Sequence, residues 1–383
     1  MSTARARLAV IGAGLMGGSI ALAARRSGGL EVRLTDADAA VRARARALDL
    51  AEVIPATLAE TVEGADLVIA AVPTSAVAEV LLAAARLAPP DAILTDAASL
   101  KGTLTLEVTS RLRDEGLRPE RFVGGHPMAG SERSGPDAAD GQLFQAATWV
   151  LTPTAETDDG VLTALSSELR GFGARVVALA PDRHDELVAV ISHLPQVVAS
   201  TLAAVAGDVV AATGDAVLSV AGGGFRDTTR IAASDPALWI PILQGNRAAV
   251  LEALAAYRAR LVALGAAIEE DDWDTVAETL RHASAARHRL APKVVTGELA
   301  DVVVPMDDRP GQLAAATTAL GSAGINVEDL TMRHAGAGGR GALVVRVAVE
   351  DQESAVRVLE GAGLHAHLHP DSVTDDPAPP PNP

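Results

Sequence analysis

Residues 8–19 read Leu8-Ala-Val-Ile11-Gly12-Ala-Gly14-Leu15-Met16-Gly17-Gly18-Ser19, and the chain continues in an alanine-rich helical pattern. A short apolar run, then Gly-x-Gly-x-x-Gly, then a helix is an order that lets backbone turn tightly, approach a pyrophosphate and pack helix against strand. The helix N-terminus then faces the phosphates with its unpaired N–H groups. Glycine spacing alone is a weak signal; the strand before it and the helix after it supply the context it needs. Gly12, Gly14, Leu15, Met16 and Gly17 are accordingly expected at a dinucleotide. Asp36 ends the second apolar run, Glu31-Val-Arg-Leu34-Thr-Asp36. A carboxylate there accepts hydrogen bonds from a ribose 2′-OH and repels a 2′-phosphate, which favours NAD over NADP, with Arg42 and Arg44 as the counter-indication.

Outward from this turn, further apolar runs appear at Leu67-Val-Ile-Ala-Ala-Val72, Ala92-Ile-Leu-Thr95, Arg121-Phe-Val123, Thr148-Trp-Val-Leu151 and Arg175-Val-Val-Ala-Leu179, separated by helical stretches. Such alternation predicts a largely parallel sheet with helices on both faces, an α/β Rossmann-type dinucleotide-binding domain over residues 1–180. Val72 and Pro73, at the end of the third run, join the expected cofactor contacts. From 181 to 297 the strand-like runs nearly vanish, and helical spacing over 187–206 and 246–268 predicts an all-α domain, broken at Gly222-Gly-Gly224 and Pro236. Residues 298–369 return to a mixed pattern. Strands are expected at 301–304, 325–327, 342–347 and 364–369, with helices between, which is the ferredoxin-like βαββαβ order. The Pro- and Asp-rich 370–383 reads as a disordered tail.

Composition narrows the function classes. The 383-residue chain is long enough for two or three domains. Its net charge of −17 disfavours nucleic acid and anionic lipid. With no cysteine, disulfides, thiolate metal sites and Cys nucleophiles are excluded, and redox chemistry has to come from a cofactor. The N-terminus lacks a signal-peptide pattern and no uninterrupted apolar run of membrane-spanning length is expected, so the reading is cytoplasmic, with no membrane partner.

Three further constellations carry chemistry. Asp96-Ala-Ala-Ser99-Leu-Lys101 follows the fourth run, at the carboxyl edge of the expected sheet, where ligands sit in open α/β folds. Lys101 is one of only two lysines in the chain, although Asp96 or Ser99 could also simply cap a helix. Gly124-Gly-His126-Pro-Met-Ala-Gly130-Ser-Glu132 presents a histidine at a strand end, suited to removing a hydroxyl proton as hydride departs. In the helical region stand His184-Asp185, Ser192-His193-Leu-Pro-Gln196 and a segment carrying Arg226, Arg230 and Trp239, whose arginines could bind an anionic substrate. His193 has no second ligand at i+3 or i+4 and reads as orienting helices by hydrogen bonding; no metal site is expected.

Together these motifs resemble the prephenate/arogenate dehydrogenase family of tyrosine biosynthesis, over residues 7 to about 295. The resemblance implies oxidative decarboxylation of prephenate to 4-hydroxyphenylpyruvate with NAD(+). It implies His126 as the group taking the ring-hydroxyl proton and Ser99 beside the same hydroxyl and the nicotinamide side. Asp96 and Lys101 fall among the implied cofactor contacts. Arg230 would pair with a substrate carboxylate, with Ser192, Gln196 and Trp239 lining the pocket, Glu132 at its mouth and Arg226 in reserve. Gln196 stands where several prephenate-using relatives carry His, which leaves arogenate, the amino-acid counterpart, as the alternative substrate.

Residues 301–369 resemble an ACT domain, through Asp308-Arg-Pro-Gly311-Gln312-Leu313 and Gly324-Ile-Asn326-Val. This implies feedback by tyrosine at Asp308, Gly311, Gln312, Leu313 and Asn326, or else a module that only supports assembly. The apolar helices after Pro181 look too hydrophobic for an isolated bundle and point to a homodimer with intertwined helical domains. Two other classes remain open: a catalytically silent sensor of NAD and an amino acid, and a β-hydroxyacid dehydrogenase. The latter would want a lysine on the first long helix of the helical domain, where this chain has none.

Overall fold

The computed structural model describes residues 5–130, 133–214, 220–289, 299–307, 311–334 and 340–368. The chain divides into two compact units, Met1–Asp272 and Trp273–Pro383.

The first unit is built on a seven-stranded sheet of order β2-β1-β3-β4-β5-β6-β7. Its strands are β1 (Ala6–Ile11), β2 (Leu30–Thr35), β3 (Leu67–Ala70), β4 (Ile93–Asp96), β5 (Phe122–Pro127), β6 (Thr148–Thr152) and β7 (Arg175–Ala178). Helices α1 (Leu15–Ser27), α2 (Ala39–Ala47), α3 (Leu58–Val62), α4 (Thr74–Ala85), α5 (Gly102–Asp114) and α6 (Asp159–Gly171) lie between them. Neighbouring strands run parallel except β5 and β6, which pair antiparallel. The exception follows from the connection, which among its described residues carries only the short helical turn Pro136–Ala138 and no crossover α-helix. Successive side chains of a strand leave by opposite faces, so Leu8 and Val10 enter one core with Ile20, Leu34 and Trp149. Ala9 and Ile11 enter the other with Val68, Leu81, Val108 and Phe122.

The same unit continues into α7 (Pro181–Val188), a π turn at Ala189–His193 and α8 (Leu194–Thr213). Helices Pro236–Gly245 and Arg247–Glu269 follow. Leu194 donates to the Ala189 carbonyl, five residues back, and Pro195 has no N–H to lose, so the helix runs on through the proline. Pro181–Ala212 is therefore a 32-residue helix, long and apolar enough to cross a membrane by length and composition; its most apolar stretch has a mean hydropathy of 1.6 and is 28% buried. Ser192-His193 and Pro195 interrupt the apolar pattern, so no uninterrupted apolar run of that length exists, but they do not interrupt the helix.

In the second unit helix Trp273–Arg289 precedes an antiparallel sheet of order β11-β8-β10-β9. Its strands are β8 (Leu299–Asp307), β9 (Asp329–His334), β10 (Arg340–Ala348) and β11 (His367–Leu368), with helices Gln312–Ser322 and Gln352–Gly361. The order is βαββαβ, and Val302, Val304, Leu320, Leu343, Val345 and Leu359 fill the core. The second strand starts at Asp329 rather than Ile325, because the Ile325 N–H closes the preceding helix on the Leu320 carbonyl at 3.0 Å. The expected tail lies outside the described residues.

Candidate active site

At the end of β1 Gly12 takes φ +103°, and a Cβ there would overlap the Ala71 carbonyl and come within 3.1 Å of Val72 Cγ1. At Gly17 a Cβ would overlap the Gly12 carbonyl, so glycine at both places lets α1 close on the strands. Gly14 differs: it caps α1 with no side-chain hydrogen bond, and nothing lies within 4 Å of where its Cβ would stand. Half-buried Leu15 and Met16 make the first turn, and exposed Pro73 opens α4 after half-buried Val72. The first-turn amides thus face an open cradle of the kind a pyrophosphate fills.

Asp36 is held by the amides of Ala13 (2.8 Å) and Asp38 (2.9 Å), one to each carboxylate oxygen. Arg42 donates to the carbonyls of Asp36 (2.6 Å) and Ala37 (3.0 Å), and Arg44 grips Asp137 at 3.0 Å. Both arginines that could have served a 2′-phosphate are therefore engaged beside a fixed carboxylate.

Asp96, at the carboxyl end of β4, is fully buried and pairs with the fully buried ammonium of Lys101. It also accepts from the amides of Ala98 (3.0 Å) and Gly125 (3.1 Å), which ties β4 to β5. Burial pushes the Lys101 ammonium below its usual range and Asp96 opposes the shift. Neither side chain presents a surface to a ligand. Nor does Asp96 or Ser99 cap α5: the amides of Lys101 and Gly102 are taken by Asp185 at 2.9 and 2.8 Å. The Gly124-Gly125 pair is needed because a Cβ at 124 would press within 2.8 Å of Thr105 Oγ1, and one at 125 within 2.9 Å of Thr95 Oγ1.

That packing delivers His126 to the end of β5, where its Nδ1 lies 2.8 Å from His184 Nε2. His184 Nδ1 in turn lies 2.8 Å from Asp185 Oδ1. Burial, followed by the neighbouring His184, Lys101 and His193, holds His126 well below the usual imidazole range. It is neutral at pH 7 and able to accept a proton. For Asp185, burial raises the carboxyl, but hydrogen bonds from His184 and from the amides of Lys101 and Gly102 outweigh it and the net shift is downward. His193 is pushed down to about 4 by burial, against the pull of Asp185. Asn246 anchors this corner, donating to the Asp185 carbonyl at 2.7 Å and facing His193 Nδ1 at 3.3 Å.

Trp239 meets the His193 ring edge-on at 6.1 Å. The Arg230–Ala233 turn packs on α8, the helix that carries Gln196, while half-buried Ser192 sits in the π turn. Gln196 is 5% exposed; its Nε2 faces Ser200 Oγ at 3.4 Å and its carbonyl oxygen is buried without a partner. Arg226 and Arg230 are exposed and form no ion pair among the described residues. Ser99 is half-buried three residues beyond β4, and Glu132 lies outside the described residues.

Of the effector residues, Gly311 takes φ +91° to start its helix, Gln312 is half-buried, Leu313 is 43% exposed, and Asn326 is exposed and bonded to Glu328. Asp308 lies outside the described residues. Sequence reasoning left His184, Asp185 and Asn246 without a role. The adjacent His-Asp pair is visible in the sequence, but it lies on α7 and its partner stands 58 residues upstream on β5.

Comparison with known proteins agrees with this fold. The model described as "Prephenate dehydrogenase, nucleotide-binding domain" matches residues 20–178, its "dimerization domain" residues 180–282, and "ACT domain" residues 301–360. The cyclohexadienyl dehydrogenase of Zymomonas mobilis is 34% identical over 284 residues, covering 74% of this chain and 95% of its own. The prephenate dehydrogenase of Aquifex aeolicus in complex with hydroxyphenyl propionate and NAD+ superposes with a TM-score of 0.67 at 29% identity, covering 76% of this chain and all of the other. Synechocystis arogenate dehydrogenase gives 0.64 at 29% identity, over 74% of this chain and all of its own. The chain belongs to the prephenate dehydrogenase family.

Proposed function

We propose that this chain catalyses NAD-dependent oxidative decarboxylation of prephenate to 4-hydroxyphenylpyruvate. The observation that carries the reading is His126: a half-buried imidazole held below its usual range at the carboxyl end of the sheet, in the same unit as a glycine cradle that fits a dinucleotide. The cradle residues and the anchored Asp36 fit NAD, and the engaged Arg42 and Arg44 argue against a 2′-phosphate. NAD(+), when bound, supplies the acceptor for the hydride on the ring carbon that bears the hydroxyl. His126 takes the hydroxyl proton, so a carbonyl forms opposite the carbon that loses CO2 and the departing carboxylate's electrons complete the aromatic ring. Ser99 steadies the hydroxyl, and Arg230 holds a substrate carboxylate with Ser192, Gln196 and Trp239 around it, Glu132 at the mouth and Arg226 as its neighbour.

Arogenate is the second reading, and Gln196 favours it. A buried amide oxygen without a partner suits the ammonium of an amino-acid side chain, whereas a keto group offers only an acceptor. The domain limits we propose are 1–180, 181–297 and 298–369. The helical domain would form the homodimer and the ACT domain would take tyrosine as effector; the absence of cysteine accords with a cytoplasmic enzyme. NADH formation should be followed with prephenate and arogenate side by side, each with NAD(+) and NADP(+), with and without tyrosine. Turnover of prephenate with NAD(+) is expected. Turnover of arogenate alone would reassign the pocket around Gln196, and silence with both would sink the enzymatic reading.

A further inference from the structure

We propose that His184 and Asp185 are positioning residues that fix the tautomer of His126, leaving its Nε2 as the bare, proton-accepting nitrogen. Asp185 receives the Lys101 amide on Oδ1 and the Gly102 amide on Oδ2, at 2.9 and 2.8 Å, so its carboxylate acts as acceptor only. His184 Nδ1, 2.8 Å from Oδ1, must then carry the hydrogen. In the neutral ring the other nitrogen is the acceptor, so His184 Nε2 accepts. His126 Nδ1, facing it at 2.8 Å, is therefore the donor and Nε2 holds the lone pair.

His184, the middle of the hydrogen-bonded chain, is 1% exposed, and Asn246 donates to the Asp185 backbone carbonyl at 2.7 Å, so the His184 ring is shielded from solvent and the segment that carries it is anchored. The charged and titratable groups acting on His126 are His184, Lys101 and His193, with Asp185 beyond His184. Protonation at Nε2 makes His126 an imidazolium whose Nδ1–H still donates to His184, directing the new charge toward the Asp185 carboxylate. An imidazole without this chain would be free to place its hydrogen on Nε2 and lose its capacity as a base.

This inference rests on His126 as the base, and the two can fail separately. Long-range 1H–15N spectra of the full chain labelled with 15N-histidine, at pH 8, should show the His126 ring protonated at Nδ1 and bare at Nε2, its signals assigned by their loss in His126→Asn. His184→Leu removes the acceptor at similar volume and should move the hydrogen to Nε2. Its kcat should drop about 30-fold or more while KM for prephenate stays within about threefold. His184→Gln offers a carbonyl to the Nδ1–H and should keep the tautomer, with kcat within about tenfold of wild type. A wild-type ring protonated at Nε2 overturns the proposal, and that reading needs no variant to fold. So does an unimpaired His184→Leu, or equal impairment of Leu and Gln. Wild-type turnover in His126→Asn would instead remove the base assignment and leave the tautomer result standing.

Discussion

Arg230 is exposed and without an ion pair among the described residues, in a protein of net charge −17. A guanidinium in such a field is drawn toward any acid nearby, and one left open on the helical side of the site is a natural clamp for a carboxylate. A charge-assisted hydrogen bond contributes about 1.5–3 kcal/mol, so Arg230→Ala should raise KM for the substrate roughly 10- to 100-fold. The dissociation constant for NADH, measured by fluorescence, should barely move. An unchanged KM would transfer the clamp to Arg226. Arg230 as a candidate was legible in the sequence, because a charged side chain close to a glycine run stands out from an apolar helical pattern. The roles of Asp96 and Lys101 were not: both were read as facing the cofactor, whereas the fold buries them against each other to hold β4, β5 and the start of α5 together. Burial depends on what the rest of the chain packs over a position, which no local pattern states.

The glycine turn between β1 and α1 separates two duties that a motif lists as one. Gly12 and Gly17 serve the packing of helix on strand, since a Cβ at either would overlap a carbonyl oxygen. Gly14 adopts φ −76°, an angle any residue tolerates, and its Cβ would enter open space above the first-turn amides. Gly14→Ala should leave the melting temperature within about 2 °C of wild type, since a non-strained surface replacement stays within about 0.5 kcal/mol. Its KM for NAD(+) should nevertheless rise tenfold or more; a parallel loss of stability, or an unaltered KM, would contradict the assignment. At this scale the sequence performed well for strands, whose apolar runs matched all seven members of the first sheet to within a few residues. It failed at the second strand of the small sheet, while the helical spacing over 187–206 held through Pro195. At that strand the deciding fact was a single backbone hydrogen bond, from Ile325 to the Leu320 carbonyl.

Over the whole molecule, the helical part of the first unit keeps a row of large apolar side chains in solvent. Leu202, Val205 and Val209 line one side of α8 at 38, 61 and 42% exposure, and Leu261 and Val262 stand out on Arg247–Glu269. Residues three and seven apart share a helix face, so the α8 row is a continuous stripe. The match of this region to a dimerization domain supports a second copy of the chain as its cover. Val205→Glu would then bury a charge at the contact and should shift the mass measured by light scattering from dimer to monomer at micromolar concentration, with a lower melting temperature. A wild-type chain that is already monomeric would refute the homodimer.

By itself the sequence determined the class of each part: strands from apolar runs of length three to six, the cofactor turn from glycines at fixed spacing, and a candidate base from a histidine at a strand end. These are local properties, written in side-chain period and backbone freedom within a few residues of one another. Tertiary structure alone decided which of the singled-out groups are reachable and which are partners. The sheet and α7 carry His184 to a residue 58 positions upstream and place Asp185 under the start of α5. Hydrogen-bond direction, and with it the nitrogen of His126 that accepts a proton, follows only from that juxtaposition.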